Sequence, residues 1–346
     1  MGNRAPVVTP DIGRPSGDFM NRYSPLNSPL KCYRLVVGVY PRLILAFILL
    51  VVLVVILETP AMCNHALEEK PLKNDAARNN PAARVYQFAI HPLYNPRKLF
   101  EAYQPLIDYL NSNLTDAQFE LEASRDYDAY EKKFRARTPE FLLPNPWQSL
   151  QAMKAGYHVI AMAGDPEDFK GIFIVRRDSG IKTPSDLKGK TVSYPSPTAV
   201  AACIMPQYFL HRQGIDINKD IINAYVGSQE SSIMNVYLGQ AAAGATWPPP
   251  WRLFQKDHPK EAAQLELIWE TPAMLNNSVM VRDDVAPTLV SRVRQLLLDL
   301  EHHPDGPAIF AGMSTGRFHA ADDARYQQVE GFITDFEREV RPVEQR

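Results

Sequence analysis

Three of the chain's four tryptophans stand where apolar runs give way to loops. Trp147 follows Phe141-Leu-Leu143 and Asn145-Pro146, and Trp247 and Trp251 bracket Pro248, Pro249 and Pro250 after Ala243–Thr246. Large rings with few charges around them suit a small organic ligand, because pockets for such molecules are mostly apolar with a few placed polar groups. In the 247–251 stretch the prolines are expected to hold an extended backbone and fix both rings with little entropy left to lose on binding. The same residues also read as a rigid loop whose tryptophans pack on the body of the protein. Asn145 and Gln148 flank Trp147 as polar partners for a ligand, Asn145 being equally an ordinary turn former. Gln229 and Glu230 either hydrogen-bond a ligand or cap the helix that follows, where Glu230 answers the positive end of its dipole.

The residue types that would carry out a reaction do not gather. The eight histidines are scattered apart from His302-His303, without the spacing of zinc ligands. No glycine-rich phosphate loop and no Gly-x-Ser-x-Gly elbow is present, and no nucleophile or acid/base pair stands out. The expectation is binding without catalysis, with no cofactor and no metal. A net charge of −2 with 22% charged residues supplies no positive field for nucleic acid. A small-molecule partner fits better.

The elements that must position these residues alternate between strand and helix from Arg84 onward. Val85–Ile90 reads as a strand, and Arg97–Asn111 as a helix with Leu99, Tyr103, Leu106, Ile107 and Leu110 on one face. Strands are expected at 119–123, 141–143, 157–163 and 171–176, the last two joined by a turn at Gly164-Asp165-Pro166. The turn-rich stretch after Arg177 marks a boundary, beyond which strand and helix alternate again: strands at 191–194, 222–226, 243–246 and 265–269, helices at 198–212 and 230–238. A last third, with strand 279–282 and two amphipathic helices, returns to the first unit. The chain therefore reads as lobe 1 at 84–177 and 271–341, interrupted by lobe 2 at 178–270, which is a hinge architecture.

Ahead of the lobes lie fifteen consecutive apolar residues, Leu43–Leu57, extended towards Leu35 apart from Tyr40, Pro41 and Arg42. The segment 35–57 is expected to direct the chain to a membrane, either as a signal-anchor helix or as a cleaved signal. Arg22, Lys31, Arg34 and Arg42 precede the apolar run and Glu58, Glu68 and Glu69 follow it, so 1–34 is read as a cytoplasmic tail and everything after the run as extracytoplasmic. Residues 58–83, polar and with Pro71 and Pro81, read as a flexible spacer.

Several stretches together resemble the phosphate-, phosphite- and phosphonate-binding subunits of ABC importers. They are Gln104-Pro-Leu-Ile-Asp-Tyr-Leu110, Val175-Arg-Arg-Asp-Ser-Gly-Ile181, Ser185-Asp-Leu-Lys-Gly-Lys190, Gly214-Ile-Asp216, Gly227-Ser-Gln229 and Ile268-Trp-Glu-Thr-Pro272. The resemblance implies an α/β, two-lobe type II periplasmic-binding-protein fold with a hinge, here preceded by one N-terminal hydrophobic helix. It also implies capture of a small oxyanion or organic molecule for an ABC permease, or, in an anchored sensor, for a signalling partner in the membrane. In that family a Ser-Thr-Ser-Gly stretch opens a helix about four residues before a proline and holds the oxyanion. Counted back from Pro206, those positions are Ala199, Val200, Ala201 and Ala202, so the hydroxyls are gone. Ser196 and Pro197 are expected to begin the helix, leaving the N–H groups of Thr198, Ala199 and Val200 to receive an anion. The family's His-Asp pair is Gln229-Glu230 here, and its acidic position before Gly244 is an alanine. The resemblance also places ligand contacts at Tyr94 and Asn95, which otherwise make a plain Tyr-Asn-Pro turn. With the hydroxyls lost, a bare phosphonate or phosphite is expected to bind weakly.

Overall fold

The computed structural model describes residues 84–344. The expected tail, apolar segment and spacer, 1–83, lie outside the described residues, among which no helix is long and apolar enough to cross a membrane.

Two sheets form the protein. The first contains β1 (Arg84–Ile90), β2 (Ala117–Glu122), β3 (Phe141–Leu143), β4 (Tyr157–Ala163), β10 (Asn277–Arg282) and β11 (Phe318–His319), in the order β11-β4-β10-β3-β1-β2. The second contains β5 (Ile172–Arg176), β6 (Thr191–Tyr194), β7 (Ile222–Tyr225), β8 (Ala243–Thr246) and β9 (Leu265–Glu270), in the order β7-β6-β8-β5-β9. In each sheet four strands point the same way, and the strand arriving from the other lobe runs antiparallel between two of them: β10 between β3 and β4, β5 between β8 and β9. Helices cover the sheets, as the buried Phe-Leu-Leu of β3 and the wholly buried Ile172–Val175 of β5 require.

The strand β5 corrects one expectation. Read as the end of lobe 1, it hydrogen-bonds β8 and β9 and belongs to the second sheet, so the first crossing lies at 164–171 and not beyond Arg177. A run of buried apolar residues marks a central strand but does not say which sheet it enters. The return crossing occupies 271–276. The two crossings hydrogen-bond each other, with Thr271 N donating to Gly171 O at 2.8 Å and Met274 N to Phe169 O at 2.9 Å. Gly171 is required there, since a Cβ would sit 2.6 Å from the carbonyl oxygen of Ala201.

The proline run is a second correction. Pro248–Asp257 is a helix with Trp247 as its N-cap, not an extended loop. Proline is tolerated in the first turn of a helix, where its missing N–H has no partner to lose.

Candidate functional site

The C-terminal ends of the parallel strands face each other across the hinge and border a narrow cleft. Lobe 2 supplies the start of a helix. Its first turn, Val200–Ile204, is π-helical and runs into the α-helix Met205–Arg212. The first amide bonded within it is that of Ile204, to the carbonyl of Ala199 at 3.0 Å. The N–H groups of Val200, Ala201, Ala202 and Cys203 therefore have no acceptor inside the helix, and they carry the positive end of its dipole. Ala199, Val200, Ala201 and Ala202 line the cleft. The helix begins later than the sequence suggested: Ala199, not Ser196, is its N-cap, and Ser196 Oγ instead sits 3.1 Å from Thr198 Oγ1.

Lobe 1 answers with side chains. His91, just past β1, lies with Nδ1 2.7 Å from the carbonyl oxygen of Leu143. A carbonyl only accepts, so Nδ1 carries the proton and Nε2 is left as an acceptor. Burial lowers the pKa of His91 to about 4, against the smaller opposing pull of that hydrogen bond, and the ring is neutral at neutral pH. Asn277, at the start of β10, is 3% exposed and its Oδ1 has no hydrogen-bond partner. Tyr127, in the first turn of the helix Tyr127–Arg135, receives a hydrogen bond on its hydroxyl from Gln229 Nε2 at 3.3 Å. Gln229 Oε1 in turn accepts from Thr246 Oγ1 at 2.8 Å. Phe169, on the first crossing, meets the edge of Trp247 with ring centres 5.5 Å apart.

The expected site residues divide into three groups. Asn145, Ala199, Val200, Gln229 and Trp247 line the cleft. Gln148 and Thr198 stand behind it, in a buried network that ties the lobes together. There Thr198 Oγ1 donates to Glu131 Oε1 at 2.7 Å and Gln148 Nε2 to the same oxygen at 3.1 Å, while Asn145 Nδ2 donates to Thr198 O at 3.0 Å. Asn145 and Gln148 also cap the helix Pro146–Lys154 reciprocally. Burial raises the Glu131 pKa above the ordinary carboxylate range, against the hydrogen bonds from Thr198 and Gln148.

The third group lies outside the cleft. Asn95 is exposed and caps the helix Pro96–Asn113 through Lys98 N, at 3.1 Å. Glu230 bonds Lys98 of lobe 1 at 3.0 Å and lies 2.9 Å from His258 Nε2, Ser228 serving as the helix cap. Tyr94 lines a neighbouring cavity. Trp147 is buried in the lobe 1 core, and Trp251 stacks on Phe254, ring centres 5.9 Å apart, within a core of lobe 2. The three tryptophans thus do not share the cleft; only Trp247 lines it. The helix opening at Pro248 turns Trp251 about a full turn past Trp247 and onto the sheet.

Further cross-lobe bonds show the lobes drawn together. Arg341, 7% exposed, leaves the C-terminal helix Val329–Glu339 of lobe 1 and donates to Pro197 O at 2.9 Å and Gln207 Oε1 at 2.8 Å in lobe 2. It steadies the loop that precedes Val200.

This geometry agrees with the comparisons. The family model described as "ABC transporter, phosphonate, periplasmic substrate-binding protein" matches residues 88–326. The chain belongs to that phosphonate-binding family. A probable ABC transporter phosphite binding protein, PhnD1, of Prochlorococcus marinus (strain MIT 9301) is 26% identical over 185 residues, 50% of this chain and 62% of the relative, so the match spans less than two thirds of that relative's length. PhnD1 in complex with methylphosphonate superposes with a TM-score of 0.67 at 22% identity, covering 75% of this chain and 98% of that one. A binding protein component of an ABC phosphonate transporter from Pseudomonas aeruginosa gives 0.67 at 17% identity, covering 74% and 87%. These structures establish the type II periplasmic-binding-protein fold of this family member.

Sequence reasoning missed His91, Tyr127, Phe169 and Asn277. His91 alone carried a usable signal, its position just after the first strand, where such folds present ligand residues. Nothing local marks Asn277 or Phe169.

Proposed function

We propose that this family member is the extracytoplasmic solute-binding subunit of an ABC-type, phosphonate-like uptake system, which closes on a small ligand with an anionic head and passes it to a membrane permease. The observation that carries this is the π-helical start at Val200, whose unbonded N–H groups border a cleft in which the buried Oδ1 of Asn277 has no partner. An oxyanion that keeps one proton answers both: its charged oxygens accept from the amides and its O–H donates to Asn277 or to His91 Nε2. Methylphosphonate in the PhnD1 complex supports the same ligand class. Ala199, Val200 and Ala201 add no hydroxyls, and charge-assisted hydrogen bonds contribute about 1.5–3 kcal/mol each, so a bare oxyanion is held weakly.

The family's role is substrate binding for transport. Among the described residues, those that line the cleft include no carboxylate, lysine or cysteine, and His91 is neutral. The charge asymmetry around Leu43–Leu57 supports a place outside the cytoplasmic membrane, with the apolar segment as anchor or cleaved signal. Family membership favours uptake over the anchored-sensor role. Calorimetry on the full-length chain tests the reading: methylphosphonate and phosphite bind in the micromolar range or weaker and above sulfate. Absence of binding by any phosphorus oxyanion overturns it.

A further inference from the structure

None of the side chains that line the cleft carries a positive charge: His91 is neutral, and no lysine or arginine borders it. A cation stands one layer behind. Arg341 is buried against the back of the helix start, its Nη2 2.9 Å from Pro197 O and 3.5 Å from Cys203 Sγ. It also donates to Gln207 Oε1 and to the carbonyls of Pro342 and Val343, and the rings of Phe336 and Tyr225 have their centres 5.2 and 6.0 Å from its guanidinium carbon. Every one of these partners is neutral. The carboxylates of the surrounding elements are engaged elsewhere, Glu131 with Thr198, Gln148 and Arg135, Glu337 with the Val343 amide and Glu339 with Arg338. A lone ion is costly to take out of water, so buried charges are normally paired. Here the guanidinium and the amides of 200–203 add their positive potential on the cleft side of the helix start, and no carboxylate among the described residues is paired with that guanidinium.

We infer that Arg341 is the cationic partner of the bound anion, acting through the helix start and not by contact, so that the C-terminal segment of the chain sets how strongly the cleft favours negative charge. The inference rests on the oxyanion reading of the cleft. Its reach follows from the geometry. The guanidinium is 3.5 Å from Cys203 Sγ, and only the cysteine itself and one hydrogen bond separate that sulfur from an acceptor at the Cys203 amide. Over roughly 10 Å, with an effective dielectric of about 20, a unit charge changes the affinity for a monoanion on the order of tenfold. Arginine suits the position because it stays charged when buried. The titratable groups packed on it stay neutral over the same range, since burial pushes the Cys203 thiol up to about 12 and holds Tyr194 and Tyr225 above the ordinary tyrosine range.

The test compares Arg341→Lys, which keeps the charge, with Arg341→Gln, which keeps a hydrogen-bond donor without the charge, on the full-length chain. By calorimetry with methylphosphonate and phosphite, the glutamine variant is expected to bind on the order of tenfold more weakly than the parent, and the lysine variant within about threefold of it. Should Arg341→Gln fold poorly, Arg341→Met serves as the neutral variant. A second readout is one that a merely structural role does not move: the phosphorus NMR signal of bound methylphosphonate, followed against pH, reports its second ionisation, which is expected about one pH unit higher in the neutral variant than in the parent. If the lysine variant loses as much affinity as the neutral one, or the ionisation of the bound ligand does not move, Arg341 only braces the loop and the inference is overturned, while the oxyanion reading stands. A parent chain that binds neither ligand overturns both.

Discussion

The two lobes face the cleft with different kinds of chemistry. Lobe 1 presents side chains whose orientation is held from behind, His91 by the carbonyl of Leu143 and Asn145 by Gln148 and Thr198. Lobe 2 presents mostly main chain, the first amides of a helix whose side chains there are methyl and isopropyl groups, with Gln229 and Trp247 at the edges. The contrast teaches how differently the two halves of such a cleft respond to substitution. Amides at a helix start are present whatever the residue, so substitution there removes part of the recognition and leaves the rest. A side-chain donor or acceptor disappears with its residue.

The comparison breaks most readily at the tryptophans. Trp251→Ala should lower stability by about 3–5 kcal/mol, as loss of a buried ring does, while the folded fraction keeps its ligand affinity. Trp247→Ala should weaken ligand binding as well, since its ring borders the cleft. Melting curves and calorimetry on the same two variants decide; equal losses of affinity in both would put Trp251 back in the site.

The lobe 1 half is sharpened by acid. The His91 pKa is depressed by burial from 6.5 to about 4, so its contribution to stability is complete above the ordinary value and is lost as pH falls through the depressed one. Unfolding by denaturant should show roughly 3 kcal/mol of stability lost between those limits that His91→Gln does not lose. Superimposable pH profiles for the two proteins would mean that His91 is not held neutral.

For lobe 2 the decisive change is Val200→Pro, which removes one amide at the first helical position, where proline is accommodated. Affinity for a phosphonate should fall about 10- to 150-fold, the equivalent of one charge-assisted hydrogen bond, with little change in melting temperature. Unaltered affinity would remove the main chain of lobe 2 from the recognition scheme.

The smallest effect is expected at the seam. Burial raises the Glu131 pKa, so that its contribution to stability is present below the ordinary carboxylate range and lost as pH rises through the raised value. Glu131→Gln keeps an acceptor for Thr198 and Gln148 and should raise the melting temperature near pH 8 by about a few degrees at most, the gain vanishing near pH 4. A variant less stable than the parent at pH 8 would show that the charge itself holds the lobes together.

Much of this architecture is local information. Apolar periods of about two and 3.6 residues report which face of an element is buried, so the alternation of strand and helix from Arg84 to Glu339 and the strand-end position of Trp247 were legible in the sequence. Tertiary structure decided what depends on partners distant in the chain. Hydrogen bonding to β8 and β9 assigned β5 to the second sheet, and packing on that sheet turned Pro248–Pro250 into a helix and carried Trp251 away from the cleft. The cleft gathers His91, Tyr127, Phe169, Ala201 and Asn277 from five separate segments, so no spacing along the chain can announce it. Periodicity records burial but not the partner, and it is the choice of partner that makes the site.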